Sequence, residues 1–140
     1  MMANSPEAPK EWVKELARTI PAVEREAPVA VRASENAARD LVAWTGLSSY
    51  VLAEAVRVPE STYANWLQIE NTEGEVSTNV PRLRAVVAIL STMLSTDQVG
   101  QWLTIPIRKL DGLSPLALWH NKEEAVVEEL VEQYADSIAS

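Results

Sequence analysis

Apolar positions recur along this chain with the three-to-four-residue spacing of helices. In PEAPKEWVKELARTI, Trp12, Val13, Leu16 and Ile20 share one side, Glu11 and Glu15 point away, and Pro21 stops the run. PAVEREAPVAV is broken by Pro28 and reads as a connector. A second helix follows in ENAARDLVAWTG. Ser34 is the expected N-cap, Ala38, Leu41, Val42 and Trp44 offer the inner face, and Gly46 ends it. Ser48 or Ser49 caps SYVLAEAV, with Val51, Leu52 and Ala55 inward. Val58 and Pro59 form a turn, and ESTYANWLQIE makes the next helix, burying Tyr63 or Ala64 with Trp66 and Leu67.

After the polar loop NTEGEVSTN, a helix starts near Pro81 in PRLRAVVAILSTML. Leu83, Val86, Val87, Leu90 and Leu94 form its stripe, and Ala85, Ile89 and Met93 widen it. A helix so apolar belongs at the centre of the fold or at a subunit interface. Ser95 or Thr96 caps DQVGQWLTI. Pro106, RKLDG and SPLALW follow, with Ser114 as cap and Pro115 in the first turn. The last helix, KEEAVVEELVEQYADSI, carries Val127, Leu130, Val131, Tyr134 and Ile138 on one stripe and Glu124, Glu128 and Glu132 on an opposing acidic face. No strand-like alternation and no repeat are present, so the expected fold is all-α. Three parts are expected: a helical appendage over 1–32, a helix-turn-helix domain over 33–94 and a small helical domain over 95–140.

Composition narrows the function. With 47% hydrophobic and 23% charged residues, the 140-residue chain can build a core. Its apolar runs are too short to span a membrane, and its polar start lacks the apolar centre of a secretory signal. The absence of cysteine excludes thiolate chemistry and disulfides, and points to a cytoplasmic protein. The single histidine, His120, has no second histidine or cysteine with which to build a metal site or relay. The four glycines are scattered and form no phosphate loop. Five widely spaced tryptophans read as core packing. No enzyme, cofactor or metal is therefore expected. Net charge is −8: residues 1–33 carry five acids and five bases, 34–94 seven and four, and 95–140 eight and three. An acidic chain binds nucleic acid weakly unless its bases cluster or it dimerises.

Residues 45–68, TGLSSYVLAEAVRVPESTYANWLQ, nevertheless have the cadence of two short helices joined by a tight turn. In such a unit Ser61, Thr62 and Asn65 face outward near the start of the second helix and can bond base edges or phosphates. Ser48, Ser49 and Tyr50 open the first helix, where hydroxyls and backbone N–H groups meet phosphate. Arg57, Arg82 and Arg84 are the bases expected to flank this surface. On the bland alternative Ser61 and Thr62 are merely solvated, and Arg82 and Arg84 pair with Glu70 or Glu73.

Two stretches together carry a family likeness. Ser34 to Glu70 resembles the phage-repressor-like (Xre-type) helix-turn-helix. QWLTIPIRKLDGLSPLALW, followed by an amphipathic closing helix, resembles the toxin-binding domain of the Xre–MbcA–ParS antitoxins, through Trp102, Leu103, Pro106, Leu110, Gly112, Ser114, Pro115 and Leu116. The likeness covers roughly 34–138 and implies an antitoxin that masks the active site of a RES-type, NAD-degrading toxin and represses its own operon by DNA binding, as a homodimer or larger hetero-assembly. Toxin contacts are expected at Trp102, Leu110, Glu128, Glu132, Tyr134 and Asp136, and the acidic closing helix suits a cleft basic enough to hold a dinucleotide. One departure is HNKEEA before the last helix, where such proteins often carry glycine; a tighter or helical approach is expected there. The rival reading is a stand-alone helix-turn-helix regulator, or an acidic adaptor, with no toxin.

Overall fold

Asn36, rather than Ser34, caps the first of the described helices. The computed structural model describes residues 32–139. The expected Trp12–Ile20 helix and its connector to Val31 lie outside the described residues, as does the Ile138 side chain. Among the described residues seven α-helices follow one another: α1 Ala37–Thr45, α2 Ser49–Ala55, α3 Glu60–Gln68, α4 Asn79–Ser91, α5 Thr96–Thr104, α6 Pro115–His120 and α7 Glu124–Ala139, with a 3-10 turn Arg108–Leu110 before α6. The architecture is all-α. Ile107 and Leu113 form an isolated antiparallel bridge across the corner between α5 and α6.

The cap exchange at α1 has a clear cause. An amide can accept and donate at once, whereas a serine hydroxyl offers less. Asn36 Oδ1 accepts the Arg39 N–H at 2.8 Å, and its Nδ2 donates to the Trp66 and Ile69 carbonyls, each at 2.8 Å. One buried side chain thus caps α1 and satisfies carbonyls at the C-terminal end of α3. Ser34 turns instead to Asp40, to which its N–H and hydroxyl both donate. Thr72 completes this corner: its Oγ1 accepts the Ala37 N–H at 2.9 Å, and its N–H donates to the Glu35 carbonyl, folding the loop after α3 back onto the start of α1.

Elsewhere the expected signals hold. Gly46 ends α1 at φ 71. Ser48 caps α2, Ser95 and Gln98 form a reciprocal capping box on α5, and Ser114 caps α6 with Pro115 in its first turn. Pro59 stands just before α3, which has no side-chain cap. Of the alternatives Tyr63 and Ala64, Tyr63 is the buried one; its hydroxyl donates to the Ala38 carbonyl at 2.8 Å, and burial pushes its pKa upward.

A single apolar cluster runs through both halves of the described chain. Leu41, Leu52, Tyr63, Leu83 and Leu90 are continuous in it with Trp102, Leu103, Trp119, Leu130 and Tyr134. The boundary expected after residue 94 is therefore a break between helices and not between cores. α4 lies along α1 on one flank and meets α7, while α5 crosses α1 and packs on α6. The widened apolar stripe of α4 is only partly used: Leu83, Val86, Val87 and Leu90 are buried, but Ala85 is exposed and Ile89 remains 39% exposed. Where α5 crosses α1, Gly100 is required for space rather than for backbone freedom. A Cβ there would collide with the Thr45 backbone carbonyl oxygen.

Two stability outcomes follow. Asn36→Ala should cost about 2–4 kcal/mol in urea denaturation, because it removes a cap and strands two carbonyls. Gly100→Ala should cost about 1–3 kcal/mol by overpacking; an unchanged midpoint would show that α1 and α5 can separate freely.

Candidate functional site

Three groups of expected contact residues can be followed from the backbone outward. The first lies at the starts of α2 and α3. Ser48 is engaged as the α2 cap, accepting the Val51 N–H at 3.2 Å, and the Ser49 hydroxyl reaches the Glu60 carboxylate at 3.4 Å. Tyr50 is 62% exposed. On α3, Ser61 and Asn65 are exposed and Thr62 is half-buried. This surface is polar, with an outward tyrosine, and Glu60 brings a negative charge to its edge.

The second group is the three arginines, and each is tied to the protein's own acids. Arg84 Nη1 donates to Asp40 Oδ2 and to the Ser34 carbonyl, both at 2.9 Å. Arg82 makes a two-pronged bond, Nε and Nη2 donating to the two Glu128 oxygens at 2.7 Å each, and its guanidinium lies 6.0 Å from the centre of the Trp119 ring. That Glu128 bond holds the pKa of Arg82 above its ordinary value. Arg57 donates to the Trp119 carbonyl at 2.6 Å, to the His120 carbonyl at 3.4 Å and to Glu124 at 3.0 Å. The expected partners Glu70 and Glu73 are therefore replaced by Glu128 and Asp40. The cause is tertiary: α7 and α1 bring these carboxylates to α4, whereas Glu70 and Glu73 lie in and beside the loop after α3.

Arg57 also belongs to an exchange between two helix ends. It follows α2 with φ 66, a left-handed backbone that places its side chain against the C-terminal carbonyls of α6. In return His120, the last residue of α6, meets the Glu54 carbonyl near the end of α2 through Nδ1 at 2.8 Å. A carbonyl can only accept, so this contact requires the proton on Nδ1. His120 is thus a helix-end cap, in keeping with its solitary place in the sequence.

The third group is the expected partner-binding set, and the structure divides it. Trp102 and Tyr134 are fully buried, ring centres 5.7 Å apart in an edge-on pair; burial pushes the Tyr134 hydroxyl up to about 12. They are core residues and offer no surface to a partner. Leu110 is half-buried in the 3-10 turn, next to Asp111 and Gly112, which reverse the chain at φ 59 and φ 77. The expected acidic row of Glu124, Glu128 and Glu132 is rotated. Glu124 and Glu128 face the bundle and its arginines, and the exposed row on α7 is Glu129, Glu132 and Asp136. Sequence reasoning missed this because the stripe Val127, Leu130, Val131, Tyr134 fixes only the middle of the buried face. Its edge depends on where the arginines of other helices reach. The glycine-free approach to α7 is a tight left-handed turn at Lys122, φ 66, closed by the Glu123 N–H donating to the Leu118 carbonyl at 2.9 Å.

Among the described residues no group of three histidines or acids stands close enough to hold a metal ion, and no helix is long and apolar enough to cross a membrane. Comparison with protein families, with curated proteins and with solved structures finds no match.

The Glu124 carboxyl makes a checkable contribution. Burial raises its pKa, but its own backbone hydrogen bond, Arg57 and Arg82 outweigh that, and the net position is below the ordinary 4.5. A carboxyl depressed in the folded state stabilises fully above that ordinary value and loses its contribution as pH falls through the folded one. Glu124→Gln should therefore be less stable than wild type at neutral pH and lose less stability on acidification below about pH 4.5. Parallel melting-temperature profiles for the two proteins would show that the pair contributes nothing.

Proposed function

We propose that this chain is an antitoxin that neutralises a RES-type, NAD-degrading toxin by covering its active-site mouth with the outer face of α7, and that it represses its own operon through α2 and α3. The observation that carries this reading is the exposed acidic row Glu129, Glu132 and Asp136, presented on the closing helix of an acidic chain. A cleft that binds a dinucleotide's phosphates must be basic, and a row of carboxylates on a rigid helix complements it in charge while its bulk excludes substrate. Mechanistically this is masking, with no bond made or broken by the antitoxin. Trp102 and Tyr134 act one layer down, fixing the height and rotation of α7 from inside. Leu110, half-buried in the 3-10 turn before α6, is the apolar residue of the expected contact set that keeps some exposure.

The operator-binding half of the reading rests on Ser61, Asn65 and Tyr50, which stand outward at the starts of α3 and α2. Asparagine in such a place pairs with adenine, and a dimer would double the footprint. The same residues favour the second reading, a regulator that acts without a toxin.

Co-expression with the product of the adjacent gene separates the two. Reversal of the outer row in Glu129→Lys/Glu132→Lys should weaken the complex at least about tenfold and abolish growth rescue, because like charges then face each other across the contact. An interface that excludes residues 102–138, or full rescue by the reversed variant, would overturn the antitoxin reading.

A further inference from the structure

A cleft of about 510 Å³ opens where α2 ends and α4 and α7 begin, lined by Arg57, Ser77, Thr78, Asn79, Arg82 and Glu124. Its chemistry is that of an anion site. Two guanidiniums share it, and Ser77 and Thr78 contribute hydroxyls. The thirteen-residue α4 points its N-terminal end there, with no side-chain hydrogen bond from Thr78 capping it. Yet the anions present are the protein's own. Glu128 takes the Nε and Nη2 donors of Arg82 in parallel, the fork that a phosphate takes from arginine, and Glu124 takes Arg57. The side chains of Arg82 and Glu128 are 45% and 35% exposed, so solvent screens this pair and a competing anion can reach the guanidinium. Arg57 is held more firmly, since two carbonyls of α6 bind it as well.

We propose that Arg82, backed by Arg57 and the start of α4, is a nucleic-acid phosphate contact that the protein keeps closed with its own last helix: Glu128 and Glu124 occupy the phosphate positions, and the ligand is the backbone of duplex DNA. The acids of α7 then do two separate jobs. Glu129 and Glu132 face outward, while Glu124 and Glu128 restrain the cations. A basic surface that drew Glu128 itself away would free Arg82 for phosphate. The inference rests on the operator-binding half of the function proposed above.

The test uses the full chain and a labelled duplex of arbitrary sequence, about 30 base pairs long, with affinity read by fluorescence anisotropy from about 50 to 200 mM salt. Glu124→Gln/Glu128→Gln should bind about tenfold tighter than wild type at the low end, with the salt slope steeper by about one. Glu73→Gln/Glu75→Gln changes net charge by the same amount in the loop after α3 and should gain less than about threefold. Adding Arg82→Gln to the first variant should return it to wild-type affinity. Equal gains from the two glutamine pairs, or no loss on adding Arg82→Gln, would overturn the proposal. Wild-type binding without tightening in Glu124→Gln/Glu128→Gln would overturn it and leave the operator reading standing. Failure of every variant to bind would overturn both. Should Glu124→Gln unfold the protein, Glu128→Gln alone carries the same comparison, since Glu128 is the partner of Arg82.

Discussion

The C-termini of α2 and α6 meet end to end, and the site is organised by how that meeting is made tolerable. Each helix ends in carbonyls with partial negative charge, bonded only by turn N–H groups such as Arg57 to Glu54 and Lys122 to Trp119, so two such ends in contact should repel. Here each end supplies the other's cap: Arg57, just beyond α2, reaches the carbonyls of α6, and His120, closing α6, reaches the Glu54 carbonyl of α2. The exchange forces Arg57 into a left-handed backbone and brings Glu124, four residues past His120, within 3.0 Å of the same guanidinium. Together with the core beneath α7, this contact sets the direction in which α7 leaves the corner and the side of it that meets α4.

From that one constraint the charge layout follows. Once Glu124 is held, Glu128 comes round one helical turn later to Arg82, because residues four apart share a face. Glu129, Glu132 and Asp136 are left outside. The chain thereby neutralises Arg57, Arg82 and Arg84 internally and shows solvent a helix with carboxylates on its outer row. The functional reading depends on this sorting more than on net charge. The exposed acidic row and the carboxylates paired with Arg57 and Arg82 lie on adjacent sides of α7.

The continuity of the core bears on the same point. Trp102 of α5 packs edge-on against Tyr134 of α7, and Leu83 and Leu90 of α4 belong to the same cluster as Leu130 of α7. Residues 95–139 therefore do not hang from α1–α4 as a loose module; α7 is seated on α4. A partner that displaced α7 would have to open the core, whereas one that competed only for Glu128 would not.

Much of the fold was legible in the residues alone. The helical period, the caps at Ser48, Ser95 and Ser114, the stop at Gly46 and the buried stripe of α7 are local properties, encoded within a turn or two of chain. They emerge because capping and amphipathic spacing act over three or four residues. The pairing of Arg57, Arg82 and Arg84 was not legible, since their partners lie 67, 46 and 44 residues away in sequence. Nor was the choice of Asn36 over Ser34, which turned on carbonyls of α3 thirty residues on. The sequence by itself determined which segments are helices and which side of each is apolar. Only the tertiary structure decided which charges are hidden, because an ion pair between helices depends on their angle and rotation, and the packing of the core as a whole sets those.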